Sequence, residues 1–182
     1  MGCLLTYSGI SFDPFSYTPD QIRIGDIAHS LSHQCRAMGH SRIFYSVAQH
    51  SLACAFEASC RGLSDRIALG CLLHDGSEAY LSDIVRPIKP ILSEYEPRER
   101  EIQLDIWKKF MGSVPTPEEE KLIFGIDDDM LAFEFHSFMA HELDGGEYVR
   151  KVSEKIVCRV EDFDEVADRF TAEAGRLGRN LK

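Results

Sequence analysis

The spacing of its apolar residues constrains this chain more than any other feature. From Asp26 to Met38, from Ser46 to Cys60 and from Ser64 to Tyr80, hydrophobic side chains return every three or four residues, the period of one helical face. A further helix is expected from Glu96 or Pro97 to Met111, with Ile102, Leu104, Ile106, Trp107 and Phe110 on its inner side. Thr116-Pro117-Glu118-Glu119 is a strong start signal, with Thr as cap, Pro in the first helical position and Glu in the third, and the helix it opens should reach about Phe138. A last amphipathic helix, Asp162 to Leu177, aligns Phe163, Val166, Phe170 and Ala174. Val149 to Val160 reads equally as strand or helix, and Pro87 and Pro90 make Ile84 to Leu92 a loop with at most one helical turn. The expected fold class is therefore all-α, a compact helical bundle.

One domain is expected over residues 1–182: an arm over 1–22, where prolines and aromatics lack helical period, a helical body, and a C-terminal extension of the same domain from 145. Twenty Lys and Arg stand against 30 Asp and Glu, a net charge of −10, which disfavours a nucleic-acid polymer as partner but not a phosphate ligand drawn to a local cation. Six cysteines at irregular spacing, without a CxxC pair or a signal segment, read as reduced cytoplasmic thiols. No apolar run approaches the 18 or so residues of a membrane span. Met1 to Thr6 formally fits a myristoylation pattern, but one short enough to arise often by chance. A homo-oligomer stays open.

Chemistry concentrates at Leu72-Leu73-His74-Asp75-Gly76-Ser77-Glu78. Inside an apolar helix, an unpaired acid costs several kcal/mol to bury, so something must compensate Asp75 and Glu78. Helical spacing puts His74, Asp75 and Glu78 on neighbouring turns of one side, where a cation can meet all three. His50 on an upstream apolar helix, and the acids of Ile126-Asp127-Asp128-Asp129 on a downstream one, could complete the set.

His50, then His74-Asp75, then a distal Asp resembles the H…HD…D signature of HD-domain phosphohydrolases, which are all-helical metalloenzymes. The resemblance runs through Ile24 to Leu31, Cys35-Arg36, Gly39-His40, Tyr45 to Ser51, His74 to Leu81 and Asp83 to Lys89, covering most of residues 5–135. Within the superfamily these blocks are similar to bacterial 5′-deoxynucleotidases and small phage-type deoxynucleoside triphosphohydrolases. Members tend to follow the distal Asp with an apolar residue four later and Glu seven later, which Asp127, Leu131 and Glu134 reproduce and Asp128 does not. The implied metal ligands are His50, His74, Asp75 and Asp127. Such donors suit one divalent Mn, Co, Fe, Ni, Mg or Zn and leave positions for water and a phosphate oxygen.

The resemblance further implies that Glu78 orients or deprotonates the attacking water, that Asp83 lies near sugar and leaving group, that Arg36 and Lys89 meet phosphate, and that His40 lines the pocket. Relatives often carry an aromatic residue after the matching Arg, where this chain has Ala37. His141-Glu142-Leu143-Asp144-Gly145-Gly146 superficially resembles the HExxDGxGYP element of cyclic-dinucleotide phosphodiesterases, but its spacing is wrong and it follows the distal Asp. The implied function is hydrolysis of a deoxynucleoside 5′-monophosphate or triphosphate. A non-catalytic module binding metal and nucleotide is the alternative, whereas a di-iron oxygenase is disfavoured because residues 76–126 contain no histidine to supply further ligands.

Overall fold

The computed structural model describes residues 2–139 and 148–181 and is predominantly helical. The arm forms a small antiparallel hairpin, β1 (Leu4–Leu5) with β2 (Ser11–Phe12), pinned by Ser8, whose N–H and hydroxyl donate to Asp26 at 2.6 and 2.8 Å. Phe12 and Ile22 then insert into the core. Seven helices follow among the described residues: α1 (Ile24–His33), α2 (Val47–Cys60), α3 (Asp65–Leu73), α4 (Glu78–Leu81), α5 (Tyr95–Met111), α6 (Pro117–Phe138) and α7 (Phe163–Arg179).

Starts with a local cap fall where the sequence puts them. Ser46 accepts from Gln49 N–H and opens α2, Thr116 and Glu119 form a reciprocal box at α6, and Asp162 accepts two backbone N–H groups at α7. The Val149 to Val160 stretch is neither strand nor helix. It is irregular chain held by side chains: buried Glu57 accepts from Ser153 N–H at 2.8 Å, and Gln49 donates to the Arg159 carbonyl at 2.9 Å.

Two helix ends differ from expectation. The α1 helix stops at His33, not Met38, because Gln34 and Cys35 turn extended and pair with the chain that enters α2, the Gln34 carbonyl accepting from Val47 N–H at 3.0 Å and Cys35 bridging Ser46. Ala37, Met38 and Gly39 then take left-handed angles and turn the chain back. The expected single helix from Ser64 to Tyr80 is broken in two between Leu73 and Glu78. Buried Gln103 of α5 causes the break: its amide donates to the Leu73 carbonyl at 2.8 Å and accepts from Ser77 N–H at 3.1 Å. Those are the two groups that would otherwise join in an i→i+4 helical bond, so the side chain inserts into the ladder. Around it the chain tightens into three-residue bonds, Gly76 N–H to Leu73 and Glu78 N–H to Asp75.

Helix α3 is the buried centre, with Ile67 through Leu73 all inside, contacting α2, α5, α6 and α7. Gly70 lets α6 approach closely, since a Cβ there would lie 2.4 Å from Ile123 Cδ1. This packing brings the middle of α6 against the C-terminal end of α3.

Candidate metal centre

Four side chains from three helices and one turn meet at the end of α3. His50 comes from the buried face of α2, His74 caps α3, Asp75 begins the tightened turn, and Asp127 lies on α6. His50 Nε2 and His74 Nε2 are 3.3 Å apart. Asp127 Oδ1 lies 3.1 Å from the first and 3.6 Å from the second, and Asp75 Oδ2 lies 3.8 and 3.3 Å away. Ligands about 2.1 Å from one ion sit roughly 2.9–3.4 Å from each other at right or tetrahedral angles, so these separations are close to those of a formed coordination shell.

The far side of each imidazole fixes its tautomer. His50 Nδ1 donates to Glu134 Oε1 and His74 Nδ1 to the Cys71 carbonyl, both at 2.7 Å. With the Nδ1 atoms carrying the protons, both Nε2 lone pairs point at the two carboxylate oxygens, and four electron-rich atoms converge on one point. A positive charge belongs there, and a divalent cation fits the donor set; histidine ligands are commonly oriented by such Nδ1–H contacts. The dipole at the C-terminal end of α3 adds partial negative charge to the same place. Cys54, with its Sγ 3.6 Å from His50 Nε2, belongs to the same cluster.

Electrostatics agree with geometry. Burial opposes ionisation of Asp127, yet the contacts from His50 and His74 outweigh it and hold its carboxyl well below the usual carboxylate range. Burial and Arg36 push His50 down, but Cys54, Glu134 and Asp127 win and raise it; burial likewise opposes the charged form of His74, which Asp75 and Asp127 nevertheless raise.

The remaining expected residues line one cleft of about 870 Å³ beside these donors. Glu78 is buried with Oε2 unpartnered, and burial, then Asp75 and Asp83, push its carboxyl well upward. Asp83 is raised too, by burial first. His40 is exposed at the rim. Arg36 is committed to protein partners, with Nε on Glu134 at 3.0 Å and Nη1 on Asp75 at 3.5 Å, and Lys89 pairs with Glu99 at 2.9 Å. Ala37 and Met38 both line the cleft, Met38 57% exposed. Asp128 and Asp129 point elsewhere, to Arg86 and to Arg61 and Lys151. The His141–Gly146 segment lies outside the described residues.

Glu134 entered from sequence only as the acid seven residues after Asp127 that set its register, and Cys54, Arg86 and Gln103 had no expected role. Two of these had a local signal: Glu134 is two turns from Asp127 on α6, and Cys54 one turn from His50 on α2. Arg86, which donates Nη2 to Asp127 Oδ2 at 3.2 Å and Asp128 Oδ1 at 2.9 Å from the loop after α4, had none.

No family model matches the chain. It is 39% identical over 110 residues to the uncharacterized protein YfdR of Escherichia coli (strain K12), covering 60% of this chain and 59% of that protein. It is 37% identical over 91 residues to an uncharacterized protein of Rhodobacter capsulatus, 48% of this chain and 46% of the relative. The chain thus spans about half to three-fifths of the length of these relatives, neither of whose names states an activity. No helix among the described residues is long and apolar enough to cross a membrane.

Proposed function

We propose that this chain is a metal-dependent phosphohydrolase of the HD type that cleaves a nucleotide phosphoester, in a deoxynucleoside 5′-monophosphate or triphosphate. The observation that carries the reading is the convergence of His50, His74, Asp75 and Asp127, each imidazole aimed by an acceptor on its Nδ1, at the floor of a cleft large enough for a nucleotide. A bound divalent cation supplies Lewis acidity there, easing deprotonation of water and neutralising phosphate charge.

The chain's own residues do the rest. Seven carboxylates and four basic side chains line the cleft, so a bare phosphate is repelled until a cation is in place. Glu78, which a cation beside Asp75 would hold ionised against the burial that pushes it upward, would accept the proton of the attacking water at its unpartnered Oε2 as the oxygen adds to phosphorus and the ester P–O bond breaks. Asp83, whose carboxyl burial pushes upward, passes a proton to the leaving oxygen. Arg36 and Lys89 place positive charge at the wall, where phosphate oxygens compete with Asp75 and Glu99 for them.

The test is a panel of ribo- and deoxynucleoside mono- and triphosphates offered to the protein reconstituted with Mn, Co, Fe, Ni, Mg or Zn, reading phosphate, pyrophosphate and triphosphate separately. Turnover of a deoxynucleotide is expected, and Glu78→Gln should lower it on the order of 10²–10⁴-fold while metal stays bound. Stoichiometric metal with nucleotide bound but no product would make the chain a binding module instead.

A further inference from the structure

Cys54 follows His50 by one turn of α2, is 1% exposed, and faces the same point. Its Sγ is 3.6 Å from His50 Nε2, and the donor atoms of His50, Cys54 and His74 all lie within 4.8 Å of one another. We propose that Cys54 is a sulfur ligand of the cation, making the centre selective for thiophilic divalent metals, zinc and cobalt, over magnesium and manganese. This rests on the reading of His50, His74, Asp75 and Asp127 as metal ligands.

Distance and hydrogen bonding both support it. Donors at about 2.1 Å (nitrogen) and 2.3 Å (sulfur) from one ion are about 3.1 Å apart at a right angle and about 3.8 Å apart at about 120°, and the observed separation falls between. Because His50 Nδ1 donates to Glu134, its Nε2 has a single lone pair to offer, either to the Cys54 thiol proton or to a cation. Once the cation takes that lone pair, the thiol loses this acceptor in a buried site, and its sulfur is left beside the metal. Coordination then exchanges the S–H bond for a sulfur–metal bond and releases one proton to solvent. Oxygen and imidazole ligands alone accept magnesium and manganese readily, whereas a thiolate favours softer ions. In an octahedral shell the fifth protein donor leaves one position open instead of two.

Cobalt(II) reports the bond directly, since sulfur ligation gives a near-ultraviolet charge-transfer band that nitrogen and oxygen ligation lacks. The full chain titrated with cobalt should show visible ligand-field bands together with that band. In Cys54→Ala and Cys54→Ser, whose folding is checked by circular dichroism, the near-ultraviolet band should vanish while the visible bands persist. Zinc affinity should fall on the order of 10–100-fold, and manganese affinity should change by no more than about twofold. Visible bands without the sulfur band in the parent protein, or a sulfur band that survives both substitutions, would overturn the role of Cys54 and leave the four-ligand centre standing. Absence of any cobalt binding would instead remove the metal centre, and this inference with it.

Discussion

At the level of single residues, α6 offers three consecutive aspartates, and the geometry separates them. Asp127 is 3.1 Å from His50 Nε2, whereas Asp128 is mostly exposed beside Arg86 and Asp129 pairs with Arg61 and Lys151. Asp127→Ala should therefore abolish metal retention through gel filtration, while Asp128→Ala and Asp129→Ala keep it; equal loss in all three would refute the register. Arg36 is expected from sequence to serve phosphate, but here it also neutralises Glu134, which is fully buried between Arg36 and His50. Removing one partner of a buried pair strands the other charge, so Arg36→Ala should cost about 3–5 kcal/mol in urea unfolding, beyond any loss of nucleotide affinity. A cost below roughly 1 kcal/mol would show that the pair is not holding the site together.

Among the elements, the junction of α3 and α4 matters most. Gln103 holds the ladder open between Leu73 and Ser77, and the tight turn this creates carries Asp75 and Glu78. Gln103→Leu keeps the bulk but deletes both bonds, leaving Leu73 and Ser77 to find each other in an uninterrupted helix. We expect a stability loss of about 1–3 kcal/mol and, as Asp75 moves, metal affinity lower on the order of 10–100-fold by calorimetry. Unchanged metal affinity in a folded Gln103→Leu protein would mean that the turn does not depend on the inserted amide.

For the whole molecule, the centre ties α2, the end of α3 and α6 together, so a cation that binds only the folded chain adds to global stability. At a hundredfold excess over Kd the gain is about 2.7 kcal/mol, or roughly 5–11 °C in Tm for a chain of this size. Differential scanning with and without added metal checks this: chelation should reverse the shift, and Asp127→Ala should not show it.

The sequence by itself determined the helical class, the start of every helix that has its own cap, and the histidines and acids that make up the candidate site. Those features are encoded within one or two turns: apolar period around α2, α3 and α6, Ser46, Thr116 and Asp162 as caps, and His74-Asp75 amid buried neighbours. Only the tertiary structure decided that the helix through His74 breaks, because the interrupting amide belongs to Gln103, 26 residues after Ser77. It also decided that Glu134 orients His50 across 84 positions, that Cys54 lies beside His50 Nε2, and that the chain leaves α1 extended at Gln34 before a left-handed turn at Ala37 and Met38. Hydrogen-bond and ionic partners are chosen by packing between helices, and a period read along one helix records which side faces inward, not which atoms of another helix it will meet.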